Sequence, residues 1–284
     1  MTGPVTGDAG HPLDPAAFAT LLVTEGADRV AVQLNRPAVR NAIDAAMVAE
    51  LHAVCAALEA SPRVLILSGT PGDEASGTKG VFASGADIAE LLGRRREDAL
   101  AGINSGLFER IHKLPMPVIA ALDGYALGGG AELAYAADFR IGTRGLRMGQ
   151  PETSLGIMAA AGATWRLKEL VGEQVALELL LAGRILTGEG ALAVGLISEL
   201  VESSELLAAA HALADRICAQ DPLAVQATKR VFHAPRSEHP DVDNREQAEL
   251  FESPAKFERM QAFLDKRENR EKRDKREKRD GSQP

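Results

Sequence analysis

The chain has 284 residues, of which 32 are basic and 40 acidic, for a net charge of −8; 45% are hydrophobic and 25% charged. That usage excludes wholesale disorder, and the acidic total argues against a protein built mainly to grip phosphate backbones. Two cysteines, Cys55 and Cys218, exclude a disulfide framework, and no Cys/His spacing suggests a metal site.

The opening MTGPVTGDAGHPLDP has neither the basic start nor the apolar core of a secretory signal. A flexible extension over residues 1–20 and a cytoplasmic location are expected. No apolar run reaches the roughly 18 residues that would span a bilayer, so no membrane partner is expected. Val30, Val32 and Leu34 alternate and predict a strand over Arg29–Leu34. Asp44 is placed to cap a helix over Ala45–Ala60, apolar at Met47, Leu51, Val54 and Leu58. The runs VLIL (64–67) and VIAAL (118–122) are short and apolar on both sides, as central strands with both faces covered require. Between them lie a Gly-rich loop (69–80), a helix from Asp87 and a longer helix over 98–113. A glycine turn at 128–130 opens a helix through Ala137, and 139–142 reads as the next strand. The alternation points to an α/β fold of stacked βα units, with its core over 21–205.

After Gly156 helical patterns dominate, over 160–171, 173–182, 188–194, 205–219, 223–232 and 243–266, and only 196–201 looks extended. A C-terminal helical region over 206–266 has no strands of its own, so self-association is expected. The segment 265–280 holds nine basic and six acidic residues and leaves a net −11 on the rest. Such mixed charge predicts a solvated helix or a disordered tail over 267–284.

The densest site-like feature is GYALGGGAEL (124–133), a strand exit into three glycines and a helix. Helix N-terminal N–H groups without side-chain cover can hold an anion or a developing oxyanion; the other reading is tight helix–sheet packing. FASGADI (82–88) has the same shape, and its Asp87 is read first as a helix cap. Two carboxylates follow these turns. Glu132 lies in the first helical turn, where a favourable dipole is the simpler reading, and Glu152 in GQPE, where a loop or cap is. Taken with two anion-holding turns, the pair suggests general acid/base work on a carbonyl substrate.

The ordered motifs LNRPAVRNAI (34–43), FASGADI, PVIAALDGYALGGGAELAYAADFRI (117–141), GQPETSLG (149–156), LLLAGRILTGEGALAVGLISELV (179–201) and MQAFLDKR (260–267) together resemble the crotonase superfamily, the enoyl-CoA hydratase/isomerase family, over about residues 29–266. The resemblance is strongest to enoyl-CoA hydratases. It implies a crotonase-like stacked ββα superhelix core with a C-terminal helical trimerisation region, in a chain that assembles as a trimer or hexamer. It implies an oxyanion hole from the amides of Ala86 and Gly129, and a water held by Glu132 and Glu152 that adds across the 2,3 double bond of an enoyl-CoA thioester. The substrate's coenzyme A is expected along Arg40, Ala42, Ser84, Ala86, Asp87, Ile88 and Gly129, with Phe263 and Lys266 of the C-terminal helix reaching it across a subunit boundary. Arg36, Arg40, Lys266 and Arg267 are the cations available for its phosphates. No metal, redox or other tightly bound cofactor is implied, since coenzyme A enters as part of the substrate. The resemblance also implies a role in fatty acid metabolism. Alanines at 160 and 163 stand where hydratases carry glycine and are expected to narrow the acyl pocket. Isomerisation of the double bond, non-catalytic acyl-CoA binding and nucleic-acid binding through the tail are the competing functions; a nucleic-acid partner is not expected.

Overall fold

The computed structural model describes residues 13–72 and 77–280 and divides into two compact units, Met1–Ala219 and Gln220–Pro284. In the first, β1 (Leu21–Glu25) and β2 (Arg29–Leu34) pair antiparallel. The alternation at Val30, Val32 and Leu34 buries all three. β1 escaped the sequence reading because Thr24 and Glu25 break its apolar pattern. Helix α1 (Ala45–Ala60) follows, with Asp44 accepting from Met47 N at 2.8 Å as its cap and Met47, Leu51, Val54 and Leu58 buried.

Beyond α1 the chain lays down strands in pairs: β3 (Val64–Ser68) and β4 (Val81–Ala83), β5 (Val118–Leu122) and β6 (Tyr125–Leu127), β7 (Phe139–Thr143) and β8 (Arg147–Gly149). One member of each pair joins a six-stranded sheet, β1-β2-β3-β5-β7-β10, and the other a four-stranded sheet, β4-β6-β8-β9. Strands β9 (Ile185–Thr187) and β10 (Glu199–Val201) complete the two sheets. Every residue of β3 and β5 is buried, as their unbroken apolar sequence requires. Within the small sheet β4, β6 and β8 run parallel and β9 antiparallel. All four have three residues, too few to show an alternating pattern. The expectation of a single extended segment after Gly156 is therefore corrected: Ile185–Thr187 is a strand as well.

The strand pairs lead into α2 (Ile88–Gly93), α3 (Arg96–Ala101) and α4 (Ile103–His112), then α5 (Gly129–Tyr135) and α6 (Ala163–Val171). The single helix expected over 98–113 is broken at Gly102, whose φ of 62° ends α3 and starts α4. The helix expected from residue 160 starts at Ala163, because Gly162 has φ 135°. α7 (Glu173–Leu181), α8 (Gly188–Ala193) and α9 (Leu206–Cys218) finish this unit. Buried residues of both sheets and of α1, α4 and α5 form one continuous apolar cluster.

The second unit holds α10 (Pro222–Phe232), α11 (Asp241–Phe251) and α12 (Pro254–Asp280). The helix expected over 243–266 is split because Pro254 has no N–H to continue α11 and instead opens α12. The charged run 265–280 is helical, while 281–284 lie outside the described residues. The expected flexible extension lies outside the described residues over 1–12. Its remainder is anchored: Leu13 is buried, and the amides of Ala19 and Thr20 donate to the Glu50 carboxylate at 2.8 and 2.9 Å. Of the loop 69–80, residues 73–76 lie outside the described residues. Among the described residues no helix is long and apolar enough to cross a membrane.

Candidate active site

Three adjacent strands of the small sheet end in the turns singled out from sequence. β4 leads to Ala86, β6 to Gly129 and β8 to Glu152, each two or three residues past the strand end. Because the strands are parallel neighbours about 4.8 Å apart, their C-terminal ends bring these turns side by side. The glycines make the contact close. A Cβ on Gly129 would stand 3.3 Å from Ala86 N, and one on Gly85 3.7 Å from Gly129 N. At Gly130 a Cβ would come within 2.3 Å of Ala83 O. The packing reading holds at Gly130, while at Gly129 the missing Cβ lets the turn approach Ala86 N closely.

Those amides are available. Ile43 N donates to Gly85 O at 2.8 Å and Asp87 N donates to Ile43 O at 3.0 Å, so the bridge skips Ala86 and its N–H faces the other side. Gly129 is the first residue of α5, where an N–H has no acceptor within the helix.

Glu132 is buried, 3% exposed, and its Oε1 accepts from Ala161 N at 2.7 Å and Ala163 N at 3.1 Å. Desolvation raises its pKa against the lowering effect of those two N–H groups. Glu152 is half-buried and opens a 3-10 turn, Glu152–Leu155. Its carboxylate lies against Gly128, where a Cβ would meet Oε1 at 2.6 Å. Desolvation first, and then the nearby Glu132 charge, push its pKa up to about 7. With its amide turned to donate, Gln150 reaches both Glu152 oxygens, at 2.9 and 3.1 Å. Sequence reasoning missed Gln150, although GQPE was in view, because only the carboxylate of that motif was considered. The segment 159–163 supplies the backbone donors to Glu132. The Ala163 methyl lies in the core cluster and the Ala160 side chain is exposed.

Arg40 O accepts from Ser84 N at 3.0 Å, which ties the turn at Arg40–Ala42 to the one at Ser84–Ala86. Arg40 and Asn41 both have φ 54°, a left-handed pair that the Asn41 side chain holds. Asn41 Nδ2 donates to Thr70 Oγ1, Val81 O and Phe82 O, and its Oδ1 accepts from Arg36 N; this buried anchor went unread in the sequence. Arg36 is no free phosphate contact, since it pairs with Asp44 at 2.9 Å and donates to Ala42 O. Asp87 accepts from Ala89 N at 3.0 Å as a helix cap and lies 3.6 Å from Arg36. Ala42 is buried and Ile88 exposed. Phe263 and Lys266 belong to α12 of the second unit, where both are exposed. A cavity of about 350 Å³ lies at the opposite ends of β6 and β8, beside Lys79, Asp123 and Tyr125, and contains none of the expected site residues.

Stacked ββα repeats with glycine turns and a carboxylate pair at the ends of the inner strands define a crotonase-type protein. The chain belongs to the enoyl-CoA hydratase/isomerase family, whose model matches residues 26–273. It is 34% identical over 258 residues to the short-chain-enoyl-CoA hydratase of Clostridium acetobutylicum, covering 87% of this chain and 95% of the relative. It is 33% identical over 256 residues to the 2,3-dehydroadipyl-CoA hydratase of Escherichia coli, covering 88% and 97%. The crystal structure of an enoyl-CoA hydratase from Bacillus anthracis superposes with a TM-score of 0.80 at 30% identity, covering 87% of this chain and 97% of that one.

Proposed function

We propose that this protein hydrates trans-2-enoyl-CoA thioesters to 3-hydroxyacyl-CoA. The observation that carries the reading is a pair of carboxyl groups drawn out of water, Glu132 buried and Glu152 half-buried, beside the turns that bring Ala86 and Gly129 together. The thioester oxygen lies between those two N–H donors, which strengthen their hold as it becomes an enolate. A water lies between the carboxyl groups, with Glu132 turning Oε2 toward it because Oε1 serves the two backbone donors. One carboxylate takes a proton from the water as its oxygen bonds to C3, and the other carboxyl group delivers a proton to C2. The pair ends with the same number of protons, exchanged between its members. Two acids this close do not both ionise readily, so the pair starts with one proton; its titration belongs to both. Relatives named as hydratases support the reaction.

Coenzyme A is bound as part of the substrate, along Arg40–Ala42 and Ser84–Ala86, with Phe263 and Lys266 of the partner subunit reaching it across a subunit boundary. The protein works as a trimer or hexamer, a reading supported by the exposed Phe257, Met260 and Phe263 of α12. The test is purified protein with trans-2-enoyl-CoAs of graded chain length, with products identified by mass and hydroxyl position. A product heavier by one water, with its hydroxyl at C3, is expected. Glu132→Gln and Glu152→Gln each lower kcat by about 10²–10⁴-fold while acyl-CoA binding persists. Near-normal turnover in either variant, or a product of unchanged mass with a shifted double bond, refutes the proposal.

A further inference from the structure

Helix α4 turns Leu107, Phe108 and Ile111 into the core. Residue 104 precedes Leu107 by three positions and Phe108 by four, so it stands on the same stripe, where an apolar side chain belongs. It is an asparagine. Its Oδ1 is buried and has no hydrogen-bond partner among the described residues. Its Nδ2 lies 3.7 Å from the point where a Cβ on Gly129 would stand, and Ala86 N lies 3.3 Å from that same point. A structural asparagine is held at both ends, as Asn41 is. Asn104 instead breaks the apolar pattern of its helix, leaves a buried carbonyl without a partner among the described residues, and directs its amide nitrogen toward the glycine turn. Local rules broken without a structural return concentrate at functional sites.

We infer that Asn104 is a further catalytic residue: its side-chain amide donates a third hydrogen bond to the substrate's thioester oxygen, beside the N–H groups of Ala86 and Gly129. This rests on the oxyanion pocket of the proposed function. The amide dipole is preorganised, because the side chain is packed against a helix and its carbonyl end is kept from water, which leaves the N–H end unscreened as charge builds on the oxygen. A donor used this way acts on the enolate more than on the ground-state thioester, so it governs kcat more than KM.

Asn104→Leu keeps the size and restores the apolar stripe, so its melting temperature is expected to equal or exceed that of the wild type. Its kcat for enoyl-CoA hydration falls by about tenfold or more, with KM changed by less than about threefold. A second readout needs no turnover. Acetoacetyl-CoA, saturating at fixed pH, reports by its ultraviolet absorbance how much of the bound thioester is enolate, and this fraction falls in Asn104→Leu. In Asn104→Asp, which keeps the shape and replaces the donor by an acceptor, it falls at least as far. An enolate band of equal strength in the wild type and both variants overturns the role of Asn104 and leaves the oxyanion pocket standing. Absence of the band from the wild type removes the pocket itself, and with it both this inference and the proposed function.

Discussion

Gly129→Ala separates the work of the glycine turn from the packing beneath it. Gly129 is the first residue of α5, and alanine there gains up to about 1 kcal/mol of helix propensity. The new Cβ would stand 3.3 Å from Ala86 N, 3.7 Å from Asn104 Nδ2 and 3.8 Å from Gly85 C, contacts relieved by movements of a few tenths of an ångström. Folding stability should therefore change by no more than about 1 kcal/mol. The methyl group nevertheless occupies the space between the two amides, and the shift that accommodates it moves Ala86 N away from the thioester oxygen. Loss of one such donor costs roughly 3–4 kcal/mol of transition-state stabilisation, or about 10²–10³ in kcat. Gly130→Ala is the control. Its Cβ would meet Ala83 O at 2.3 Å and Ala83 Cβ at 2.7 Å, so α5 and β4 must part, at about 1–3 kcal/mol or more. Thermal unfolding and steady-state hydration of a short enoyl-CoA, followed by loss of the conjugated thioester's absorbance, measure both quantities. Turnover within threefold of wild type in Gly129→Ala, or destabilisation equal to that of Gly130→Ala, refutes the reasoning.

The pH dependence follows from Glu152, whose pKa of about 7 lies above its ordinary 4.5. The folded state then holds its proton more tightly than the unfolded chain, so this group's contribution falls as pH rises from 4.5 to 7 and stays at its lowest above 7. For a half-exposed group the loss is about 1–2 kcal/mol after solvent screening. The difference in unfolding free energy between the wild type and Glu152→Gln should decline across that window, and the ionisation of the pair seen in log kcat/KM should shift in the variant; a difference that rises with pH contradicts the assignment. Truncation before Phe263 should raise KM for acyl-CoA or reduce the size of the assembly seen in light scattering, and no change in either removes that segment from binding and assembly.

Most of the large sheet was legible because its inner strands are long or apolar enough to leave a pattern: Arg29–Leu34 by alternation, Val118–Leu122 by unbroken burial. The small sheet was not, since three residues carry no period, and its strands were implied only through the resemblance. Helix interiors were read well and their ends less so: Gly102 and Pro254 each divide an apparently continuous pattern. In the site, the carboxylates and glycine turns were visible as residue types in motifs. Their environment was not. The donors to Glu132 come from 29 and 31 residues away, and the raised pKa of Glu152 comes from burial, neither of which is written locally. Asn41 was overlooked because most of its partners lie on another segment, Gln150 because the carboxylate beside it drew the reading, and Asn104 because only the packing around α4 marks it as out of pattern.

The small sheet has to place its turns to within about half an ångström, yet a one-residue slip along a strand moves an atom by about 3.3 Å. Three-residue ladders offer little to prevent it. Register is fixed at the far ends of the same strands. Tyr125 N donates to Gly80 O and Arg147 N to Gly124 O, which continues the pairing of β4, β6 and β8 by a residue beyond the strands themselves. A Cβ on Gly124 would stand 1.5 Å from Gly80 O, and one on Gly80 would stand 2.3 Å from the Asp123 carboxylate, so these backbones meet in one arrangement only. Asp123, 5% exposed, accepts from Gly72 N at 2.8 Å, Thr143 Oγ1 at 2.7 Å and Ser203 Oγ at 3.1 Å, and so ties this knot to the last strand pair and to the loop before α9. A buried carboxylate satisfied three times over has one position, and the strands that leave it inherit that position. The glycines at 80 and 124 thus set the register of the same strands whose opposite ends hold Ala86, Gly129 and Glu152.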